Sequence, residues 1–414
     1  MKKFILILCA VLAPAAAGFY IWFYFDWGSH LSWRDVATFF AKPAPIGIAG
    51  GDPLERLGVR RAELATSESA SQVRYLGTTR YLNGARAVVT HTIDDSTMFL
   101  VRCLDTMDKY GMKATVFVTT RVGIMPKLWP RLGKAVANGH EIGSHARSHR
   151  CRPEAFLFCL SKNSSYELAG SRDDILAHTT QPHVWSYSYP CGRCSGCEYV
   201  HRKLAAAEYL VARFYPDREP LGGYLVPDLQ TFAAKPYDAG YTQVVQGDGK
   251  AHAGRKHPGR KDVAAINAKF DEVYGKEGIY HFVSHPQWLE YGSGRFYEQH
   301  LAHVGGRADI WYVPLGPLYT YRTVVEKTEV KPLEPRGSKG RFAVYNHLDP
   351  KVFTNCITLQ FSVPETPRLK VIANGRPLEE RQGGISDRWD HEYFRRAGQS
   401  VLVTIRPGTI VEFR

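Results

Sequence analysis

The chain has 414 residues, of which 44% are hydrophobic, so it can bury a sizeable core and form more than one domain. Its formal net charge of +13 at pH 7 suggests an anionic envelope polymer or a membrane surface as a partner, although an ordinary basic surface is the simpler interpretation. Basic and aromatic residues are not interleaved in the way that nucleic-acid platforms require, and we therefore expect no nucleic-acid partner.

The first 25 residues form an apolar segment with a basic start. Lysines occupy positions 2 and 3, and Phe4–Phe25 is interrupted only by Pro14 and Gly18. The segment is either a signal peptide cleaved near Ala15–Ala17, or an uncleaved anchor just long enough to span a bilayer. We favour the anchor. Both interpretations predict export, with the chain facing the periplasm or cell exterior, or secreted if the segment is cleaved.

Eight cysteines agree with export, because an oxidising compartment permits disulfides. Cys191, Cys194 and Cys197 form a tight group, which Cys151 and Cys159 precede. A zinc or iron–sulfur site is one interpretation of this group, and disulfides within it are the interpretation that we favour. Seven cysteines lie outside the apolar segment, so at least one thiol is expected to be free or intermolecular.

Residues 26–81 lack clear periodicity and are interpreted as a juxtamembrane spacer. From residue 82 onwards, strand-like and helical runs alternate, which predicts parallel βα units. The strand-like runs are 87–93, 114–118, 141–142, 184–189, 241–245, 279–284 and 310–313, and the helical runs are 98–110, 128–136, 165–177 and 202–208. We therefore expect an α/β domain resembling a barrel over residues 82–325, with catalytic residues at the strand ends.

Beyond a charged linker at residues 326–340, the pattern becomes all-β. Strand-like runs occur at 342–345, 356–361, 369–372, 400–405 and 409–413. The Asn374-Gly375 dipeptide between two of them predicts a hairpin turn. We expect residues 341–414 to form a small sandwich-like domain, which could bind carbohydrate, mediate assembly or pack against the barrel.

Two adjacent carboxylates, Asp94 and Asp95, close the first strand-like run of the predicted barrel. Two imidazoles four residues apart, His145 and His149, follow the run at 141–142. One carboxylate and two imidazoles are a complete ligand set for a catalytic divalent metal that leaves one position open for water. The second carboxylate is then free to act as a base, and the pattern predicts metal-assisted hydrolysis.

These residues resemble the motifs of the polysaccharide deacetylase family (NodB homology, carbohydrate esterase family four), which has a distorted (β/α) barrel. Thr92–Asp95 is similar to the T-F-D-D motif, and His145–His149 to H-[ST]-x-x-H, with Ala146 at the usual hydroxyl position. Ser188–Gly192 resembles the R-P-P-Y-G motif without its arginine, and His285 matches the late histidine. The remaining motif has only a weak candidate, Asp248 in a Gly-Asp-Gly turn.

The resemblance implies a metal-dependent deacetylase that acts on an acetylated polysaccharide. The expected metal is zinc, with cobalt, nickel and manganese as alternatives. Asp95, His145 and His149 would bind the metal, Asp94 would be the general base and His285 the general acid. Cys191, Pro190 and Trp288 would contact the oxyanion or the substrate. Asp248 would tune the site.

One departure from the family pattern bears on activity. Ser188 stands where an arginine often orients the catalytic aspartate, and Arg147, Arg193 and Arg213 are candidate substitutes. The missing arginine supports an alternative, a degenerate glycan-binding protein without turnover, although such a protein would not need Asp94. A non-haem iron oxygenase with two histidines and one carboxylate is a third hypothesis, which the adjacent base disfavours.

Overall fold

The computed structural model describes residues 33–40, 47–65, 71–150, 162–192, 198–213, 225–226, 242–246, 263–334, 336–365, 368–382 and 388–414. The apolar N-terminal segment, Asp248, Arg193 and four of the grouped cysteines (151, 159, 194 and 197) lie outside these residues. Within them, no helix is long and apolar enough to cross a membrane.

A nine-stranded sheet forms the centre of the predicted barrel. All its strand pairs are parallel except that of β6 with β7. This sheet confirms the predicted α/β class and the distorted barrel. The strands in spatial order are β7 (Leu225–Val226), β6 (Val211–Arg213), β5 (Ser186–Ser188), β4 (Glu141–Ser144), β3 (Ala114–Val118), β2 (Ala87–Asp94), β9 (Ile279–Ser284) and β8 (Thr242–Gln246), with β10 (Ile310–Tyr312) also paired to β2.

The helices of the described residues follow the predicted alternation in part. The runs at 98–110 and 128–136 are confirmed as helices. The run at 165–177 is divided into two helices at Leu168. The helices are α1 (Trp33–Phe40), α2 (Pro53–Arg56), α3 (Phe99–Lys109), α4 (Met125–Ala137), α5 (Lys162–Glu167), α6 (Ala169–His178), α7 (Glu198–Ala206), α8 (Val263–Gly275), α9 (Phe296–Val304) and α10 (Leu315–Lys327).

Strand β2 is central in this sheet, and all eight of its residues are buried. Successive side chains of a strand point to opposite faces. Val89 and Ile93 belong to the apolar cluster that also contains Leu104 of α3. On the opposite face, Thr92 Oγ1 lies 2.9 Å from His281 Nε2 inside the curled sheet. Asp94 shares that inner face, which sets up the site described below.

Two antiparallel sheets confirm the all-β character of the C-terminal region. They pack face to face through phenylalanine rings, with centroid distances of 5.0 Å for Phe342–Phe361 and 4.8 Å for Phe361–Phe413. The first sheet has the order β1 (Arg74–Thr78), β13 (Ile357–Ser362), β17 (Ser400–Ile405) and β16 (Tyr393–Ala397). The second has the order β11 (Glu329–Leu333), β12 (Gly340–Tyr345), β18 (Thr409–Phe413), β14 (Val371–Ala373) and β15 (Arg376–Pro377).

Two predicted segment boundaries differ from the structure. Strand β1 lies within the predicted spacer yet pairs with β13, and β11 lies within the predicted linker and pairs with β12. Both are edge strands with mostly exposed or half-buried residues, so their sequences carry little apolar alternation. The predicted hairpin is confirmed, because Asn374 and Gly375 have φ values of 47° and 78° between the paired strands β14 and β15.

His91 of β2 is a buried histidine that faces away from Asp94, into the layer between sheet and helices. Its ring centroid is 5.0 Å from that of Phe282, and both ring nitrogens lack a hydrogen-bond partner among the described residues. Burial lowers the pKa of His91 from 6.5 to about 3, with a smaller effect of the His140 charge. The neutral ring therefore carries two buried polar atoms whose desolvation nothing offsets.

We predict that His91→Leu raises the free energy of unfolding by about 1–3 kcal/mol at pH 7, measured by urea denaturation. The folded pKa lies below the unfolded one, so the wild type loses stability as the pH falls from about 6.5 towards about 3. The free energy of unfolding of the His91→Leu variant should fall less than that of the wild type over this pH range.

His140→Leu is the matched control, because both His140 nitrogens have partners. Nδ1 lies 3.1 Å from the Ala114 amide nitrogen, and Nε2 lies 3.0 Å from Asp108 Oδ1. Leucine at position 140 should lower the free energy of unfolding by about 1–3 kcal/mol. If His91→Leu and His140→Leu lower the free energy of unfolding by the same amount, the interpretation of His91 is wrong.

Candidate active site

The carboxyl ends of four parallel strands, β2, β4, β5 and β6, bring polar side chains to one edge of the sheet. Strand β2 ends with Asp94, which Asp95 follows, and β4 is followed directly by His145. Strand β5 ends with Ser188 and β6 with Arg213. Since parallel strands end at the same edge, residues far apart in the chain become neighbours there.

Asp95, His145 and His149 form the predicted ligand set. One ligand atom from each lies within 4.8 Å of the other two. Asp95 Oδ1 is 3.4 Å from His149 Nε2 and 3.7 Å from His145 Nε2. His145 Nδ1 donates a hydrogen bond of 2.9 Å to the Ser188 carbonyl oxygen, which leaves the lone pair of Nε2 for a metal. Two imidazoles and one carboxylate suit zinc and similar divalent ions.

The protonation states of His145 and Asp95 suit metal binding. Burial lowers the pKa of His145 to about 4, so this imidazole is neutral at pH 7. Burial raises the pKa of Asp95, but the hydrogen bond with His149 and the other nearby histidines together hold it well below its usual range. Asp95 is therefore a carboxylate. The same hydrogen bond raises the pKa of His149.

Asp94 is a buried carboxylate, with 2% of its surface exposed, and it forms an ion pair with Nη2 of Arg213. Ser188 Oγ lies 3.4 Å from both carboxylate oxygens and 2.9 Å from Arg213 Nη2. Burial raises the pKa of Asp94, but the charge of Arg213, followed by those of two nearby histidines, lowers it below the ordinary value. Asp94 is therefore ionised at neutral pH, as a general base must be.

Of the candidate substitutes that the structure describes, Arg147 and Arg213, it is Arg213 that contacts Asp94. It lies opposite Ser188 in the β5–β6 register, so its guanidinium reaches past the small serine to the carboxylate. Arg147 instead donates two hydrogen bonds of 2.8 Å to Asp174. The run 209–213 was not predicted as a strand, although its apolar residues followed by arginine resemble the other strand ends.

His285 directly follows β9, and its Nε2 atom lies 3.9 Å from Asp95 Oδ2. The ring centroids of His285 and Trp288 are 4.3 Å apart, so both residues lie beside the ligand set as predicted. Gln287 between them donates a hydrogen bond of 2.9 Å to Asp95 Oδ2. Gln287 was not predicted, although its place between two candidate residues was a usable signal.

The turn after β5 contains the other predicted contact residues. Pro190 and Cys191 begin a 3-10 turn, in which Cys191 has a φ of 59°. Cys191 is disulfide-bonded, in agreement with the disulfide interpretation of the cysteine group. Its sulfur is therefore not a thiolate that competes for the metal. Cys103 and Cys356 are free and buried.

Part of the chain matches a known family. Residues 82–211 match the family model described as polysaccharide deacetylase. The polysaccharide deacetylase domain is therefore assigned to this part of the chain. The matched range contains Asp94, Asp95, both predicted histidine ligands and Ser188, whereas Arg213 and His285 lie beyond its end. No curated protein sequence matches the chain.

Solved structures with similarity to the chain include three carbohydrate-active proteins. A family 4 acetyl xylan esterase from Clostridium thermocellum, in complex with cobalt, has 16% identity, covers 56% of this chain and 90% of its own, and gives a TM-score of 0.34. The catalytic domain of a peptidoglycan N-acetylglucosamine deacetylase from Eubacterium rectale has 16% identity, coverages of 55% and 86%, and a TM-score of 0.33. A polysaccharide deacetylase from Bacillus cereus has 14% identity, coverages of 53% and 85%, and a TM-score of 0.32. At such identities and scores, catalysis has to be argued from the residues of this chain.

The ion pair with Arg213 predicts how the base responds to mutation. In Arg213→Met, Asp94 becomes a buried carboxylate without its counter-charge, so its pKa should rise. A base with a higher pKa is ionised only at higher pH. The acid limb of the pH–rate profile should therefore move to higher pH, and kcat/KM at pH 7 should fall about 100-fold or more.

Arg213→Lys keeps the positive charge, so its kcat/KM at pH 7 should fall less than that of Arg213→Met. Arg172→Met is the control, because Arg172 pairs with Asp173 and Glu208 away from the strand ends, and its profile should match the wild type. An unchanged acid limb in Arg213→Met would show that Arg213 does not set the protonation of the base.

Proposed function

We propose that the protein is a metal-dependent hydrolase that removes acetyl groups, with N-acetyl favoured, from an envelope or extracellular polysaccharide. One observation carries this proposal. Asp94 is ionised and paired with Arg213, and it lies directly beside the ligand set of Asp95, His145 and His149. The polysaccharide deacetylase domain implies a hydrolase of acetylated carbohydrates, and this constellation supplies the chemistry for it.

The two adjacent aspartates have different tasks in this proposal. A divalent cation held by Asp95 and the two histidines would polarise the acyl carbonyl and lower the pKa of a coordinated water. Asp94 lies on the inner face of β2, whereas Asp95 leaves the strand with a φ of 78° and turns towards the histidines. Asp94 can therefore accept the proton of the attacking water while its neighbour remains a ligand.

Other residues act on the leaving group and the substrate. His285, beside the ligand set, gives a proton to the departing nitrogen, or to oxygen in an ester. The backbone N–H of Cys191 is the proposed donor to the oxyanion, with Pro190 in the same turn. Trp288 packs on His285 and is proposed to contact a sugar ring.

The metal and the compartment complete the proposal. We favour zinc, with cobalt, nickel and manganese as alternatives, because the donor set of two nitrogens and one oxygen suits all of them. Export and membrane association through residues 1–25 are supported by the apolar run Phe4–Phe25. The disulfide at Cys191 is also consistent with an oxidising compartment.

The alternative of a glycan-binding protein without turnover loses its main support. That alternative depended on the missing arginine of the third motif, and Arg213 supplies a guanidinium to the same carboxylate from the adjacent strand. A binding protein would have no use for a buried, ionised base, whose desolvation has to be offset by a buried counter-charge.

We predict that the full chain, supplied with Zn²⁺ or Co²⁺, releases acetate from at least one member of a panel of N- and O-acetylated glycans. Asp94→Asn should lower the rate about 10²- to 10⁴-fold, because it removes the proton acceptor and retains the ligands. Asp105→Asn is the control, since Asp105 forms an exposed pair with Arg131 and its loss should leave the rate unchanged. No acetate from any glycan, despite one bound metal ion per chain, would favour the glycan-binding alternative.

A further inference from the structure

The loop between the two histidine ligands has a backbone that needs support from outside. Ala146 and His149 have φ values of 64° and 55°, in the left-handed region that costs non-glycine residues about 1–2 kcal/mol each. The Ser144 hydroxyl accepts the N–H of Ala146 at 3.2 Å, and the side chain of Ala146 itself has no polar atom. The N–H groups of the next two residues are bound by another part of the chain.

Glu167, the last residue of α5, directs its carboxylate at this loop. Its Oε2 accepts the backbone N–H groups of Arg147 at 3.0 Å and of Ser148 at 2.9 Å. Its Oε1 accepts the Ser148 hydroxyl and lies 3.5 Å from Arg150 Nε. Glu167 is only 2% exposed, so these charge-assisted hydrogen bonds are shielded from water.

The opposite side of the loop is held by the end of β3. The N–H of Thr120 donates to the Ala146 carbonyl at 3.2 Å, and the N–H of Arg121 donates to the Arg147 carbonyl at 2.9 Å. Hydrogen bonds therefore fix both the carbonyls and the N–H groups of the loop backbone. A backbone fixed in this way also fixes the positions from which the flanking histidine side chains extend.

The contacts of Glu167 explain why a carboxylate lies at this position. It accepts two peptide N–H groups and the Ser148 hydroxyl, and it lies beside the Arg150 guanidinium. These partners point to the loop as the reason for a carboxylate at this place.

We propose that Glu167 is a positioning residue for the metal site, which sets the affinity for a divalent ion by fixing the backbone of residues 147–148. This inference rests on the proposed metal-dependent function. Glu167 acts through the loop and takes no part in proton transfer. Its role is to place one acceptor oxygen, Oε2, where both N–H groups reach it, and the charge matters less than the position of this oxygen.

The test is a titration of the metal-free full chain with Co²⁺, followed by visible absorption, and with Zn²⁺ by calorimetry. In Glu167→Leu, the loop donors lose their acceptor, so the Kd for Co²⁺ should rise about 10- to 100-fold. The absorption bands should also change, because the two imidazoles no longer have fixed directions. Glu167→Gln should bind within about threefold of wild type, since its amide oxygen can accept both N–H groups and its NH₂ can donate to Ser148.

Glu141→Leu is the matched control for a lost buried carboxylate. Glu141 is fully buried and accepts hydrogen bonds from Thr115 Oγ1 at 2.5 Å, Ser186 Oγ at 2.7 Å and the Gly316 N–H at 2.7 Å. Leucine at position 141 should lower the midpoint of urea unfolding without changing the Kd or the spectrum. If both leucine variants lose stability and affinity together, general destabilisation explains the effect and the positioning role is wrong.

Ser148→Ala keeps the test decisive if Glu167→Leu does not fold, because it removes one donor and retains the carboxylate. Its Kd for Co²⁺ should rise about two- to tenfold, and an unchanged value would overturn the inference. A Glu167→Leu chain with the Kd and spectrum of the wild type would overturn the positioning role and leave the proposed hydrolase intact. A wild-type chain that binds neither ion would overturn both.

Discussion

The buried ion pair between Asp94 and Arg213 is the interaction on which the site depends. A carboxylate taken out of water stays ionised only beside an opposite charge or several donors, and here Arg213 supplies the opposite charge beside the Ser188 hydroxyl. Removing one partner of such a pair typically destabilises a protein by about 3–5 kcal/mol, whereas a pair of apolar residues could serve stability equally well. A role in proton transfer accounts for the pair better than stability does.

The architecture follows from this constraint. Arg213 can reach Asp94 because β6 lies next to β5 and because position 188 of β5 is a small serine. The Ser188 carbonyl in turn orients His145, so one residue of β5 supports both the base and a ligand. The same edge of the sheet therefore holds the proposed base and the proposed metal ligands, which share a supporting residue.

Strands that are buried on both faces could be predicted from the sequence, because such strands appear as continuous runs of apolar residues. The runs at 114–118 and 279–284 coincide with β3 and β9. Helix α10 was missed because nine of its thirteen residues are buried, so that its sequence has only weak helical periodicity. The edge strands β1 and β11 were missed for the opposite reason, since they bury too little.

The candidate metal ligands and the candidate base could be proposed from the sequence, because they lie in short motifs whose spacing reflects local chemistry. Arg213 is separated from Asp94 by 119 positions, and only the strand order singles it out from the other candidate arginines. Gln287 and Glu167 support the ligands through contacts 192 and about 20 positions away in the chain. Residues that act through tertiary neighbours leave no spacing signal in a single sequence.

The most direct test of the account is the crystal structure of the zinc-loaded chain, with the ion located by its anomalous scattering. The account predicts one ion, about 2.0–2.2 Å from an Asp95 carboxylate oxygen and about 2.0–2.1 Å from His145 Nε2 and His149 Nε2. Asp94 should remain paired with Arg213 and should not bind the ion. An ion bound elsewhere, or Asp94 as a ligand with Arg213 displaced, would contradict the division of roles between the two aspartates.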